Sequence, residues 1–241
     1  PREYQMLLVA APAVPAAALK RAVRWRVKAL LDYPVDDAAM DVLDIPPESD
    51  AAARGHSVYA VAARNDVVRE RVTTFERARI PLSVIDIPET AQRNIAALHE
   101  TGGRGVALLH FNHEFGLLTI TCRGELYLSR HIDIGLPQML GAAPDARAEL
   151  FSRVLLELQR TFDHFDRQFR YVQVAKLLIG PEPKDSGLFE HLKGNLDIPV
   201  ERLDLLGCLS FERQATPDAA LQWQLFHLIG ASLRHEAKAP G

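Results

Sequence analysis

Cysteine is almost missing from this 241-residue sequence; Cys122 and Cys208 are the only two. They lie far apart, outside any Cys-x-x-Cys pair and among apolar neighbours, which excludes a disulfide-stapled scaffold and a zinc knuckle. Free, buried thiols in a reducing compartment are expected. Long hydrophobic runs are missing too. The longest apolar stretch, Met6 to Leu19, is too short for a bilayer, carries Pro12 and Pro15, and lacks the basic front and cleavage site of a secretory signal. Nor does one sign of charge dominate: 28 basic residues face 31 acidic ones, for a net charge of −3. That leaves no electrostatic footprint for nucleic acid. Arg69, Arg71, Arg77 and Arg79 alternate with Glu70 and Glu76, as on a solvated helix face. No fixed-period repeat and no low-complexity segment is present. The sequence opens on Pro1 instead of methionine, which reads as a processed or trimmed front.

What is present is an ordinary globular composition, 48% hydrophobic and 24% charged, in a chain longer than one common core of roughly 100–150 residues. Two α/β lobes are expected. In the first half, strand Tyr4–Val9 precedes an amphipathic helix from Ala16 to Leu31, on which Leu19, Val23, Val27, Leu30 and Leu31 recur at helical spacing. Asp32-Tyr33-Pro34 stops it. Strand Met40–Ile45, a polar link from Glu48 to Gly55, strand Ser57–Ala62, helix Asn65–Arg79 capped by Asn65 or Asp66, strand Leu82–Ile87 and helix Glu89–His99 follow. The glycine-rich segment 100–105 marks the expected boundary, giving a first lobe over 1–99 with a small extra subdomain and a second over 106–241. The second lobe opens with three apolar runs, Val106–Phe111, Leu117–Cys122 and Leu126–Ile132, the last two joined by the hairpin turn Arg123-Gly124-Glu125. A helix from Asp145 to Phe169 carries Leu150, Val154, Leu155, Leu158, Phe162, Phe165 and Phe169 on one face. Strand Ala175–Ile179, helix Gly187–Leu196, strand Val200–Leu205 and helix Leu221–Leu233 complete the pattern.

Several segments carry a resemblance. The run from Val106 to Phe111, then Leu117 to Thr121, then Gly124-Glu125-Leu126-Tyr127-Leu128-Ser129-Arg130-His131-Ile132-Asp133-Ile134-Gly135 resembles the second lobe of actin-like ATPases. Arg24-Trp25-Arg26-Val27-Lys28, then Leu31 to Ala38, Asp41 to Pro46, Val61 to Arg64 and Ile85 to Glu89 are similar to the PilM/MshI group of type IV pilus assembly proteins within that superfamily. The Asp-Tyr-Pro-Val run tilts toward the MSHA branch of that group and away from relatives such as GspL of type II secretion. The resemblance implies an actin-like, ribonuclease H-like α/β fold of two lobes, shortened at the N-terminus. It also implies a cytoplasmic scaffold, peripheral to the inner membrane, that captures the N-terminal peptide of a PilN-like bitopic inner-membrane protein. The pilus motor ATPase is a further candidate partner.

The superfamily's nucleotide grips can be followed residue by residue. The second phosphate turn usually reads Asp-x-Gly with small hydroxyl residues, which order Mg²⁺ and let backbone N–H groups reach phosphate. Its counterparts here are His110, Phe111, Asn112, His113, Glu114 and Phe115, with Gly116 the only glycine. The adenosine turn corresponds to Gly180-Pro181-Glu182-Pro183, where two prolines remove donors. The expectation is therefore a degenerate site with no catalytic residue, no cofactor and no metal, since phosphoryl transfer needs metal and placed donors. The alternative reading is an actin-like ATPase that tolerates these changes and hydrolyses ATP slowly.

Other clusters have plainer readings. His110, His113 and Glu114 tempt a metal reading, but a polar surface turn serves as well. Asp163, His164 and Asp166 read as the solvated side of a helix. Ser129, His131 and Asp133 read as strand alternation and not a triad, because no nucleophile elbow accompanies them. Arg24, Trp25, Tyr33 and Pro34 are the residues the resemblance points to for the partner peptide, an aromatic and arginine group that suits a binding hot spot. Trp25 as ordinary subdomain core is the competing reading.

Overall fold

The computed structural model describes residues 3–47, 56–211 and 216–234. The expected polar link from Glu48 to Gly55 lies outside the described residues. The described chain separates into two compact units, Pro1–Ile85 and Asp86–Gly241.

In the first unit, β1 (Tyr4–Ala10), α1 (Ala16–Val27), β2 (Ala38–Asp44) and β3 (Ser57–Arg64) form an antiparallel sheet of order β1-β3-β2 with α1 on one face. Val23 and Val27 of α1 are fully buried against Met40, Val58, Ala60 and Ala62. The helix ends at Val27, short of the expected Leu31. A 3-10 turn over Val35–Asp37 then leads into β2. Helix α2 (Asn65–Arg77) follows β3 directly. Neither expected cap closes it in the usual way. Its N-cap is Arg64, with no side-chain cap bond; Asn65 donates from Nδ2 to the Asp36 carbonyl (3.2 Å), and Asp66 Oδ1 accepts from Val67 N (2.9 Å). The expected strand Leu82–Ile87 belongs to no ladder among the described residues. Its apolar run satisfies the strand pattern, but a strand also needs a neighbour, and the described strands are paired elsewhere.

The second unit is built on β4 (Gly105–Phe111), β5 (Gly116–Cys122), β6 (Glu125–Ile132), β7 (Val174–Ile179) and β8 (Val200–Arg202). Their order is β6-β5-β4-β7-β8, antiparallel on the β5 side of β4 and parallel on the β7 side. Strands β4 and β5 are buried at every position, as strands covered on both faces must be. Arg123 and Gly124 between β5 and β6 have φ of 55° and 74°, the geometry a two-residue hairpin demands.

Adjacent residues of β6 point to opposite faces and identify the two covers. Arg130 reaches Glu157 of α5 (Pro144–Gln168) at 3.1 Å, whereas His131 comes within 3.8 Å of Glu89 in α3 (Pro88–Ala97). Helix α5 buries Phe151, Val154, Leu158, Thr161 and Phe165 and leaves Asp163, His164 and Asp166 in solvent, as its periodicity requires. On the other face, Ile95 and Ala96 of α3 join Val106, Leu108, Leu178 and Phe226 in one apolar cluster. Gln92 of α3, wholly buried, donates from Nε2 to the Leu108 and Leu117 carbonyls (2.6 and 3.0 Å) and to Thr119 Oγ1 (3.0 Å).

This explains why compactness divides the chain between Ile85 and Asp86 and not at 100–105. Helix α3 is sealed into the second unit's sheet, and the glycine-rich segment is a tight turn within that unit. Gly102 and Gly103 have φ of 61° and 70°, and Thr101 bridges to Arg104. The short helices α4 (Leu136–Gly141), α6 (Leu188–Lys193) and α7 (Leu205–Cys208) fill connections. The helix expected over Leu221–Leu233 breaks at Leu225 into α8 (Ala219–Gln224) and α9 (Phe226–Ser232). Cys122 is buried, Cys208 half-buried, and both are free; burial raises both thiol pKa values.

Phe226 is fully buried where α9 meets the sheet. Phe226→Ala is expected to cost about 3–5 kcal/mol, the range for deleting a buried aromatic, read as a lowered urea midpoint with an unchanged slope.

Candidate functional site

Parallel pairing aligns Leu108 with Leu178 and Leu109 with Ile179, so β7 ends beside the last residues of β4, His110 and Phe111. The turn after β4 runs over 112–115, and the turn after β7 carries Gly180 to Gly187. Open α/β sheets bind ligands at these carboxyl ends.

The structure brings the two expected grips into contact. Gly180 N donates to the Leu109 carbonyl (2.8 Å), and a Cβ added at Gly180 would meet His110 Nδ1 at 2.7 Å. The missing side chain makes room for an imidazole. His110 is 2% exposed, stacked on Phe226 (centroids 4.0 Å apart, planes at 28°) and edge-on to His227 at 5.4 Å. His110 Nδ1 and His227 Nε2 have no hydrogen-bond partner among the described residues. Burial, and then the neighbouring His227, hold His110 well below its ordinary value of 6.5. Burial lowers His227 to about 4. Both rings are neutral packing groups at pH 7.

The turn itself is closed by its own side chain. Asn112 Oδ1 accepts from the Glu114 and Phe115 amides (2.8 and 2.9 Å), and Asn112 N donates back to the Phe115 carbonyl (2.9 Å). The N–H groups that would turn toward a phosphate are therefore in use. Gly116 has a packing reason: a Cβ there would lie 2.4 Å from Phe111 Cε1, whose ring covers that position. His113 and Glu114 are exposed. His113 meets the edge of Trp223 (4.5 Å), and Trp223 Nε1 donates to the Phe111 carbonyl (2.6 Å). His110 points into the core while His113 stands in solvent, so they do not converge. Among the described residues no three His, Cys, Asp or Glu side chains form a metal-binding group.

The second turn is closed in the same manner. Glu182 accepts from Ser186 N and Oγ (both 3.0 Å), Asp185 Oδ1 accepts from Gly187 N (2.9 Å), and Ser186 Oγ accepts from Leu188 N (3.2 Å). Pro181 and Pro183 contribute no donor. Burial raises the Glu182 pKa. Asp185 also holds Arg202 at 2.9 Å, and Arg202 stacks on Phe189 at 4.2 Å.

Trp223, Phe226 and His227 were missed by sequence reasoning. Their spacing of three and four residues marks one helical face, which was the available signal. Which sheet that face would meet was not in the local pattern.

In the first unit the four residues expected at a partner surface have different surroundings. Arg24 donates to the Ala38 carbonyl (3.0 Å) and to the Val35 carbonyl, tying α1 to the start of β2. Its guanidinium is engaged within the unit and not presented outward. Trp25 is 69% exposed, which removes the core reading. Tyr33 is half-buried under Arg64 (5.3 Å), its hydroxyl without a partner among the described residues, and Pro34 is exposed.

No protein-family model matches the sequence, and no curated protein does. Among solved structures, the chain is similar to a "PilM-PilN type IV pilus biogenesis complex": 16% identity and TM-score 0.73, over 96% of this chain and 75% of that one. That likeness is one of fold: a mixed α/β architecture shared with the solved PilM–PilN structure over nearly the whole chain. Weaker alignments reach a Bacteroides thetaiotaomicron protein with an actin-like ATPase fold and unknown function (8% identity, TM-score 0.47, 90% of this chain and 69% of that one). They also reach the cytoplasmic domain of EpsL, an inner-membrane component of the Vibrio cholerae type II secretion system (9%, 0.43, 94% and 70%). No helix among the described residues is long and apolar enough to cross a membrane.

Two measurements follow. Because folding depresses the His227 pKa, the unfolded chain takes up the proton first as pH falls below 6.5. Stability is thus expected to be flat above pH 6.5 and to decline toward pH 4, by on the order of 3 kcal/mol for this group. His227→Leu should flatten that decline in urea titrations across the same window. Asn112→Ala removes the acceptor of two turn amides and is expected to cost about 1–2 kcal/mol.

Proposed function

We propose that this chain is a non-catalytic scaffold of an MSHA-type type IV pilus assembly machine, and that it binds the cytoplasmic N-terminal peptide of a PilN-like bitopic inner-membrane protein. The observation that carries the reading is the likeness of 96% of the chain to the structure of a PilM–PilN complex. The reading places the protein on the cytoplasmic side, peripheral to the inner membrane through its partner, with the pilus motor ATPase as a further contact. Tyr33 and Pro34 suit the docking role: a half-buried aromatic ring beside an exposed proline. Arg24 acts behind them by fixing the backbone they stand on.

The degenerate nucleotide site is the second half of the proposal. Support comes from the two turns that spend their amides on Asn112, Glu182, Asp185 and Ser186, and from His110 against Gly180. A triphosphate entering there would have to break several of these bonds and bring its charge beside Glu182 and Asp185. Phosphoryl transfer rests on a bound metal and on free, placed donors, and the amides held by Asn112, Glu182 and Asp185 are not free to serve.

A synthetic copy of the PilN-like tail, titrated calorimetrically, is expected to bind with micromolar affinity or better, and Tyr33→Ala to weaken it by roughly tenfold. Absence of any binding heat would defeat the scaffold reading. Millimolar Mg²⁺–ATP is expected to leave the melting temperature unchanged; linkage requires a rise from any real binder, and a rise would restore the ATPase reading.

A further inference from the structure

Helix α1 carries two opposed stripes. Leu19, Val23 and Val27 face the three-stranded sheet. Opposite them, at spacings of four and three, Arg21, Trp25 and Lys28 form an outer stripe on which all three side chains are exposed. Lys28 Nζ lies 5.7 Å from the Trp25 ring centre, which confirms that they share that side. Arg26 is exposed on one flank. Lys20, on the other, pairs with Asp41 at 3.2 Å. From Ala16 through Leu31 the cations are Lys20, Arg21, Arg24, Arg26 and Lys28, and no acid interrupts them; Asp32, Asp36 and Asp37 come after the helix. Val14, 39% exposed, stands just before this segment, and Leu30, 53% exposed, stands near its end.

We propose that this outer stripe is a docking surface for an anionic lipid bilayer. Charge complementarity favours that occupant: Arg21, Arg26 and Lys28 meet lipid phosphates, while Trp25 and Leu30 sink to headgroup depth. Tryptophan is the side chain suited to that interface, and long cationic stems cover apolar surface while their heads reach phosphate. Shape agrees. With its inner face sealed into the sheet, α1 offers a convex ridge that can lie on a plane, whereas an acidic peptide would need walls on either side of Trp25. The inference goes beyond the peptide-capture reading, because it gives the protein its own hold on a membrane surface.

The test is flotation of the full chain with vesicles of phosphatidylcholine, with and without phosphatidylglycerol, at low and high salt. The chain is expected to float only with the phosphatidylglycerol vesicles, and to be released by salt. Trp25 emission should shift to the blue on binding. The double substitution Arg21→Glu/Lys28→Glu should reduce partitioning by roughly 30-fold or more, from about one kilocalorie per removed cation. Trp25→Phe should abolish the emission shift, since Trp223 is already buried. Both variants alter exposed positions, so unchanged melting is the folding control, and unchanged titration of the Arg21→Glu/Lys28→Glu variant with the PilN-like tail separates this outcome from that of the scaffold reading. Failure to float on phosphatidylglycerol vesicles at low salt overturns the proposal. So does undiminished flotation of the double variant, or binding to polyglutamate without binding to vesicles, which would give the stripe to an acidic polypeptide.

Discussion

The second unit depends on one constraint: β4 and β7 run parallel, and β7 stops two residues before β4 does. That pairing puts the turn after each strand at the same end of the sheet. Everything at the candidate site follows from what fills the space between them. An imidazole lies against a glycine backbone, a phenylalanine from α9 stacks on the imidazole, and a tryptophan from α8 reaches the carbonyl that closes β4. Such a pocket end is ordinarily where an α/β sheet admits a ligand. Here the chain's own rings occupy it.

The two turns reach the same end by one device. Each holds its own amides with nearby polar side chains: Asn112 in the first turn, Glu182, Asp185 and Ser186 in the second. Short polar side chains compete well for local backbone donors, which is why such residues crowd turns and helix starts. The result is a pair of turns whose shape is set by their own side chains.

Much of the fold was legible because burial leaves a period in the sequence. The helices α1, α3 and α5, the inward-facing Val23, Val27, Val154, Leu158 and Phe165, and the strands β1 to β7 stand close to where three-to-four spacing or apolar runs placed them. The hairpin at Arg123-Gly124 was visible because positive φ is costly for most residues. The failures are all non-local. Leu82–Ile87 has a strand's composition but no ladder, since pairing is decided by neighbours distant in sequence. Asn65 looked like a cap and instead bonds to Asp36. The boundary at 100–105 rested on glycines, while the contacts of Gln92 and Ile95 with the sheet assign α3 to the second unit. At the site, the difference of residues 110–116 from the Asp-x-Gly pattern was readable. The rings packed there come from residues 223–227, over a hundred positions away, and only tertiary packing could reveal them.

The fit of His110 to Gly180 ties this end of the sheet together. A small residue at 110 would leave Phe226 without the ring it stacks on. Freeing the amides of the first turn requires another residue at 112, and freeing those of the second requires changes at 182, 185 and 186. Each change alone loosens the edge. Residues locked to one another in this way act as a ratchet on substitution, so outer surfaces are easier to vary than this interior.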